Sequence, residues 1–410
     1  MSTDVPALRF VGFDASWEQR KLGELVQFSK GSGYSKADLK ESGTPIILYG
    51  RLYTKYETVI ADVDTFADAK TGSIYSHGGE VIVPASGETA EDISIASVVE
   101  KSGVLLGGDL NIITPPTSLD SAFLAISISN GKPHDDMAKM AQGKSVVHLH
   151  NSDLGKINLA FPNYEEQVQI STYFKSLDNL ITLHQKKVIS LKKIKTILLD
   201  KMFPKNGMDV PEIRFAGFDG VWEQRKLGDH IIEYHEVTTE NNQYPALTSS
   251  RRGIFLQTEY FDGHQVASAD NTGYNIVPFG YFTYRHMSDD DVFYFNINDI
   301  VENGIVSTLY PVFTTDDTLD SRYLQYQLNH GREFAKYAVL QKQGGSRTYM
   351  YLSKLKQLTL TMPKTVDEQR AISGFLMKYD NLITLHQNEV MLLKNIKKSA
   401  LLKMFVKGGD

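Results

Sequence analysis

The amino-acid sequence predicts an α+β protein: two α/β domains joined by two long helices that form an antiparallel coiled coil, with a pseudo-two-fold internal repeat. The first observation is the repeat itself. Residues 5–25 read VPALRFVGFDASWEQRKLGEL, and residues 210–230 read VPEIRFAGFDGVWEQRKLGDH. The second observation is that both copies end in the same octapeptide, DNLITLHQ, at residues 178–185 and 380–387. The period is near 202 residues, because Asp178 recurs as Asp380.

Between these shared segments the copies have diverged, but short matches keep them in register. The matches are Leu119-Asp120-Ser121 with Leu319-Asp320-Ser321, Gln142-Gly143-Lys144-Ser145 with Gln343-Gly344-Gly345-Ser346, and His148-Leu149-His150 with Tyr349-Met350-Tyr351. Four parts are therefore predicted: a domain at residues 1–163, a central spacer helix at 164–207, a second domain at 208–363 and a C-terminal spacer helix at 364–410. One framework kept twice around a changed middle is typical of a protein with two different recognition surfaces.

The spacer helices are predicted from a heptad pattern. Residues 165–202 contain neither glycine nor proline, and steps of three and four residues give a coiled-coil seam. The seam of the first copy consists of Phe174, Leu177, Ile181, His184, Val188, Leu191, Lys195, Leu198 and Met202. The seam of the second consists of Leu376, Tyr379, Ile383, His386, Val390, Leu393, Lys397, Ala400 and Met404. Packed antiparallel, the helices would carry one domain at each end, and the first would be roughly 57 Å long at about 1.5 Å per residue.

Polar residues on these helices leave two alternatives each. The lysines form either a solvated coiled-coil face or a surface that touches phosphates or acidic partners; they are Lys186, Lys187, Lys192, Lys193, Lys201 and Lys205. His184 and His386 are conceivable as a metal pair, but no nearby carboxylate or cysteine keeps ligand spacing. We therefore favour buried polar positions that fix the helix register.

The divergent domains mix short strands with helices. Buried strands are predicted at residues 44–49, 79–84, 276–284, 292–296 and 305–314. Helices are predicted at residues 122–128 and 322–329, capped by Asp120 or Ser121 in the first copy and by Asp320 or Ser321 in the second.

Loops after these elements gather polar, aromatic and basic side chains. Base edges and phosphates are contacted by such residue types. A single one of them is more simply a solvated loop charge, but as a group in matched loops they predict DNA contact. The candidates are Arg51, Lys55, Gln142, Lys144, Ser145 and His148 in the first copy, and Arg251, Arg252, Arg285, Lys342, Gln343, Ser346, Arg347 and Tyr349 in the second.

Composition narrows the class of protein. The sequence has no cysteine, which excludes disulfides and thiolate zinc sites and fits a reducing cytoplasm. We expect neither a signal peptide nor a membrane span, because residues 1–20 are polar and no apolar run reaches about 18 residues. The net charge of −6 argues against a nucleic-acid binder when taken globally. Residues 164–207 and 364–410 are nevertheless basic, at +4 and +3, and the distribution counts more than the sum.

Catalytic motifs are absent from the sequence. Gly143-Lys144-Ser145 would end a phosphate-binding loop only with glycine at position 138, where Ala138 stands. Thr114-Pro115-Pro116-Thr117 lacks the flanking residues with which adenine methyltransferases hold an extruded base, and no nuclease motif is evident. The acidic groups Asp289-Asp290-Asp291 and Glu91-Asp92 are predicted to be solvated turns, with a hard-cation site as the alternative. No catalytic residue, cofactor site or metal site is expected in this chain.

The repeated motif resembles a known family. Trp17–Gly23 and Trp222–Gly228 are similar to the lead segment of specificity subunits of type I restriction-modification systems. Glu166-Gln167 and Glu368-Gln369, which open the long helices, are similar too, and the resemblance covers essentially the full chain. It implies that each divergent segment is a target-recognition domain that reads half of a bipartite site in double-stranded DNA.

The resemblance also implies partners. The helices would be the spacer and would dock two methylation subunits, giving an S-adenosylmethionine-dependent adenine-N6 methyltransferase. Motor-nuclease subunits would add ATP- and Mg²⁺-dependent restriction, so those cofactors would belong to the partners. The alternative is a structural scaffold with two interaction modules on a coiled-coil spacer and no role in DNA binding.

Overall fold

The computed structural model of the chain describes residues 5–141, 146–205, 207–342 and 347–406. The chain folds into two compact units, one made of residues 1–186 and 387–410 and the other of residues 187–386. Each unit therefore combines one divergent segment with a part of both long helices.

The strands of the first unit form two larger sheets and two two-stranded ones. Its strands are β1 (Glu18–Lys21), β2 (Gln27–Lys30), β3 (Leu39–Lys40), β4 (Thr44–Ile47), β5 (Val59–Ile60), β6 (Phe66–Ala67), β7 (Glu80–Pro84), β8 (Ser86–Gly87), β9 (Ser97–Val99), β10 (Leu105–Leu106), β11 (Leu110–Thr114), β12 (Val147–His148) and β13 (Asn158–Phe161). Its helices are α1 (Leu22–Leu25), α2 (Gly50–Thr54), α3 (Ala90–Ile93), α4 (Ser121–Ile128), α5 (Gly131–Met140), α6 (Asn151–Leu154) and α7 (Tyr164–Lys201), which continues into the second unit. The larger sheets have the strand orders β2-β11-β7-β9-β5 and β10-β4-β6-β3.

The second unit begins and ends with elements that correspond to those of the first, but its middle elements differ. Its strands are β14 (Glu223–Lys226), β15 (Ile231–Tyr234), β16 (Leu247–Ser250), β17 (Gly253–Leu256), β18 (Asn275–Pro278), β19 (Phe282–Thr283), β20 (Met287–Ser288), β21 (Asn296–Ile297), β22 (Asn303–Val306), β23 (Val312–Thr315), β24 (Thr348–Tyr349) and β25 (Thr359–Met362). Its helices are α8 (Gln257–Tyr260), α9 (Ser321–His330), α10 (Arg332–Leu340), α11 (Leu352–Leu355) and α12 (Val366–Met404), which continues into the first unit. Lys36–Asp38 and Leu227–Asp229 are 3-10 turns. The main sheet has the order β15-β23-β19-β21.

Strand extents in the second copy were predicted too long. The predicted strand 276–284 is two strands, β18 and β19, because the chain turns at Gly280, whose φ is 84°. The predicted strand 305–314 is likewise β22 and β23, interrupted by a turn in which Tyr310 N–H bonds to Ser307. Of residues 292–296 only Asn296 lies in a strand. An apolar run shows that side chains are buried, but it does not show whether the backbone stays extended.

The caps of the two buried helices are aspartates. Asp120 Oδ1 accepts a hydrogen bond from Phe123 N at 2.8 Å, and Asp320 Oδ1 accepts one from Tyr323 N at 2.8 Å. These bonds satisfy N–H groups that have no partner within the first helical turn. The alternative between aspartate and serine is thereby decided in the same way in both copies.

The long helices pair antiparallel. In the first unit Asp178 bonds to Lys397 at 2.5 Å and His184 to Glu389 at 2.5 Å, so residue numbers rise along α7 while they fall along α12. In the second unit Lys195 bonds to Asp380 at 2.5 Å. This is the same ion pair with the two helices exchanged. The predicted fold class is confirmed.

The end of each long helix closes a domain core. Phe405 stacks on Phe123 in the first unit with ring centroids 5.9 Å apart. Phe203 packs on Tyr323 in the second unit at 5.7 Å. Helix α7 therefore begins in the first copy and ends in the core of the second. Helix α12 begins in the second copy and ends in the core of the first.

Candidate nucleic-acid interface

The repeated segments at residues 5–25 and 210–230, called the lead segments, connect each domain to the start of a long helix. Arg9 donates two hydrogen bonds to Glu166, from Nε at 2.8 Å and from Nη2 at 2.6 Å. Arg214 does the same to Glu368, at 2.7 and 2.9 Å. Because the two glutamates are only 1% and 3% exposed, these buried carboxylates need their bidentate partners. Both residues of each pair therefore hold the framework together.

The glutamine after each glutamate completes this junction. Gln167 Oε1 accepts a hydrogen bond from Asp120 N at 2.9 Å, and Gln369 Oε1 accepts one from Asp320 N at 2.8 Å. The Glu-Gln dipeptide thus joins the lead segment, a capped helix and a spacer helix at one point. This accounts for its recurrence in both copies.

A two-stranded ribbon occupies the same place in each unit. β8 pairs antiparallel with β12 in the first unit, and β20 pairs with β24 in the second. The residue that follows the ribbon is fully buried in both cases and accepts a hydrogen bond: Leu149 from Asn111 Nδ2 and Met350 from Tyr284 Oη, each at 2.9 Å. Different donors thereby hold the same backbone position.

The glycine loops lead directly into β12 and β24. Five of the predicted DNA contacts belong to these loops and lie outside the described residues: Gln142, Lys144, Ser145, Gln343 and Ser346. The remaining candidates can be placed.

Stacked rings project from each ribbon. His148 and His150 are exposed, with ring centroids 6.5 Å apart and planes 6° from parallel. Tyr349 and Tyr351, 37% and 48% exposed, lie 5.8 Å apart at 14°, and His286 stacks on Tyr351 at 5.1 Å. His148 and Tyr349 were predicted as DNA contacts from the sequence, whereas His150 was not. The spacing of two residues on a strand, which puts side chains on one face, was the signal for His150.

The carboxylates of the acidic turn at residues 289–291 pair with basic side chains of the second unit. Arg347 Nε donates to Asp289 at 2.7 Å. Arg251 donates to both oxygens of Asp290, one of them at 2.8 Å. The hydrogen bond from Arg251 holds the pKa of the Asp290 carboxyl below its usual range. The turn is therefore ion-paired, whereas the sequence predicted a turn in contact with solvent alone.

The third carboxylate of the turn also has partners. Asp291 accepts a hydrogen bond from the Thr348 hydroxyl on β24 and lies 3.4 Å from Lys342 Nζ. The bond to Thr348 lowers the pKa of Asp291. Three predicted DNA contacts of this unit are thus neutralised by neighbouring carboxylates in the free protein.

An arginine-lined cavity of about 430 Å³ adjoins this turn. Its walls include Arg251, Arg252, Arg285, Tyr260, Tyr294 and Tyr310. The Arg252 guanidinium lies 4.4 Å from the centre of the Tyr260 ring, within cation–π range. Arg285 is exposed, and no ion pair to it is found among residues 207–342 and 347–406.

Arg51 and Lys55, the two predicted cations of the first unit that lie within the described residues, are engaged inside their own domain. The side chain of Arg51 is 8% exposed and pairs with Glu57 at 2.8 Å and with Asp64. Lys55 pairs with Asp64 at 2.8 Å. The hydrogen bond from Lys55, and after it the one from Arg51, lowers the pKa of Asp64 to about 2. The geometry gives Arg51 and Lys55 a role in closing the loop at 55–64, and DNA contact by either stays a prediction.

Comparison with known proteins finds similarity to specificity subunits of type I restriction-modification systems. Residues 15–193 match the family model described as the type I restriction modification DNA specificity domain. The chain is 21% identical to the type I restriction enzyme MjaVIII specificity subunit of Methanocaldococcus jannaschii, over 93% of this chain and 90% of that relative. It shares its fold with the S subunit of a type I restriction-modification system from M. genitalium, with a TM-score of 0.64 and 13% identity over 99% of this chain and 100% of that one. The resemblance predicted from the lead motif is confirmed.

Across the described ranges, none of the helices combines the length and the apolar character that crossing a membrane requires.

Proposed function

We propose that this chain reads a bipartite site in double-stranded DNA, one half per unit, and directs adenine-N6 methylation and restriction by partner subunits. The match of residues 15–193 to the type I restriction modification DNA specificity domain supports this proposal. One observation carries the proposal: the same ribbon stands in both units with different side chains on it. A frame kept twice with changed surface chemistry suits a protein that reads two different half-sites.

A two-stranded ribbon is one of the elements that can read bases. The major groove of B-DNA admits a two-stranded β-ribbon, and arginine, lysine and glutamine recognise base edges there. In the second unit Arg347 immediately precedes β24, and Arg251 and Arg285 line the adjoining cavity. Phosphate contacts by their neighbours would fix the register of the domain on the duplex.

Two apolar patches on the long helices support docking of two copies of one partner. In the first unit the patch consists of Leu180, Leu183, Leu392 and Ile396, and in the second of Ile194, Ile197, Leu382 and Leu385; their exposure ranges from 38% to 61%. Each of these residues stands one position before a seam residue. On antiparallel helices such positions fall on the same side of the pair.

Four of these patch residues are identical between the copies although they are exposed. Leu180 and Leu183 recur as Leu382 and Leu385 within DNLITLHQ. Exposed leucines at one helical spacing are typical of a surface that another helix covers. We assign the patches to two methylation subunits. S-adenosylmethionine would bind there, and ATP and Mg²⁺ would be used by motor-nuclease subunits.

The proposal is tested by purifying the chain with its methylation subunits and mapping the adenines that the complex methylates. We expect one motif with two fixed halves and an unread gap, and methyl transfer only by the assembled complex. Equal retention of all duplexes by the complex would instead favour the scaffold without a role in DNA binding. Methyl transfer by the rigorously purified single chain would contradict its non-catalytic role.

A further inference from the structure

Strands β1 and β14 display the same four residues, EQRK, on the surface. Other shared residues of the lead segments have visible structural roles: Trp17 is buried, and Arg9 pairs with a buried glutamate. Surface positions usually tolerate substitution. Exposed residues that stay identical while the middle of each copy diverges therefore need another explanation.

Strand pairing divides these residues between two faces. β1 pairs antiparallel with β13, and Arg20 stands opposite Leu159, which is 1% exposed. Because side chains alternate along a strand, Glu18 and Arg20 share this inner face. Gln19 and Lys21 share the other face, and both are exposed.

Among the described residues, the inner side chains have polar partners and the outer ones show none. Arg20 lies within 3.8 Å of Glu18, and its counterpart Arg225 donates to Thr318. For the outer residues, no hydrogen bond or ion pair of the side chain is found within the described ranges; they are Gln19, Lys21, Gln224 and Lys226. In the second unit Thr361, opposite Gln224, donates from its N–H and hydroxyl to Glu333, so that carboxylate is already engaged.

The segment after each of these strands is bonded to the short helix that follows the ribbon. Gly23, two residues after Lys21, donates its N–H to Gly155 at the end of α6, and α6 begins directly after His150. In the second unit Gly228 donates to Lys356 at the end of α11, which begins directly after Tyr351. A Cβ on Gly228 would lie 2.6 Å from the Lys356 carbonyl oxygen, so glycine keeps the strand close to that helix.

We propose that Gln19 with Lys21, and Gln224 with Lys226, form two equivalent faces that bind DNA phosphates and hold the backbone beside each ribbon. The inference rests on the proposed function. Lysine and glutamine contact phosphates without reading sequence. The sugar–phosphate backbone is chemically the same in both half-sites, whereas the bases differ. Identical residues are therefore expected at backbone contacts and divergent ones at base contacts.

The test compares matched lysine variants of the full chain, alone and assembled with its partner subunits. The test variant is K21A/K226A. The control is K36A/K336A, which removes two exposed lysines that are not repeated and show no ion pair within the described residues. Affinity for cognate and non-cognate duplexes is measured from low to high salt, with thermal unfolding to confirm folding.

We expect the slope of log K against log salt to become shallower by about 0.9 for each lysine, hence about 1.8 for K21A/K226A. Both duplexes should be weakened by the same factor, the methylated motif should stay the same, and K21R/K226R should restore the slope. The control variant should behave as wild type.

An unchanged slope in folded K21A/K226A overturns the inference. Loss of partner-subunit binding with an unchanged DNA slope also overturns it, because the face would then belong to a protein contact. A wild-type complex that does not prefer its cognate duplex refutes the proposed function instead, and this result is visible before any variant is made.

Discussion

The two ribbons, β8 with β12 and β20 with β24, have the same backbone arrangement but carry different exposed side chains. Residues 148–150 (HLH) and 349–351 (YMY) both bury the middle side chain and expose two stacked rings. The buried residue is held by an asparagine amide in the first unit and by a tyrosine hydroxyl in the second. Backbone position is thus preserved by whichever buried donor is present, and the outward side chains are left free to change.

The charges around the two ribbons differ more than the rings do. In the second unit three consecutive aspartates, residues 289–291, lie against Arg251, Lys342 and Arg347. In the first unit Arg51 is instead buried in an ion pair away from solvent. In the second unit, the basic side chains that are candidates for DNA contact must therefore break an ion pair with a carboxylate before they can bind DNA.

Exchanging one divergent segment is the most severe test of this comparison. Replacing residues 25–160 by the same segment of a relative should change one half of the methylated motif completely and leave the other half intact, because each unit holds its own ribbon. Mapping of methylated adenines measures this. A change in both halves would show that the units do not read independently.

Charging one apolar patch should remove one partner. L180D/L183D places two carboxylates on the first patch. We therefore expect the number of methylation subunits in the complex to decrease from two to one, as measured by native mass spectrometry or analytical ultracentrifugation. L382D/L385D should do the same at the second patch. T182D, an exposed substitution between the two leucines on another side of the helix, is the control, and two bound subunits in all three variants would rule out docking at the patches.

R347A should relax recognition in the second half-site only. A bidentate base contact is typically worth about 1–3 kcal/mol, which corresponds to a loss of affinity of roughly 5- to 150-fold. R322A is the matched control in the same unit, because Arg322 lies on α9 and also pairs with an aspartate, Asp299. Unchanged affinity and an unchanged motif in R347A would make Arg347 a partner of the acidic turn alone.

D290N should have the smallest effect. It frees Arg251, so affinity for any duplex should rise a few-fold at low salt and the salt dependence should steepen by up to about one counterion. Because Arg251 depresses the pKa of Asp290, the carboxylate is charged at any pH above the ordinary aspartate range, and its ion pair is lost only as the pH falls below that range. The effect should therefore be constant between pH 6 and 8. A decrease in DNA affinity would show that Asp290 itself contacts DNA.

Several features of the site followed from sequence because they depend on local chemistry. The heptad seam located both helices, and Asp120 and Asp320 were recognised as candidate caps. The repeat placed the matched loops. The ring of His150 was missed, although its two-residue spacing from His148 was visible.

The partners of the charged residues did not follow from sequence. Asp289 and Arg347 are 58 residues apart, and Glu389 reaches His184 from the other helix. The expectation that His184 has no nearby carboxylate was wrong for that reason, since spacing along one helix says nothing about the helix packed against it.

Local sequence patterns were enough to predict the duplicated architecture, the antiparallel spacer and the resemblance to specificity subunits, because periodicity, capping and repeated motifs are properties of neighbouring residues. The tertiary structure alone decided which cations are paired with carboxylates, which exposed residues share a face and how each ribbon is anchored. Those properties arise from contacts between residues far apart in the chain, and burial changes the energy of a charge only once the chain has folded around it.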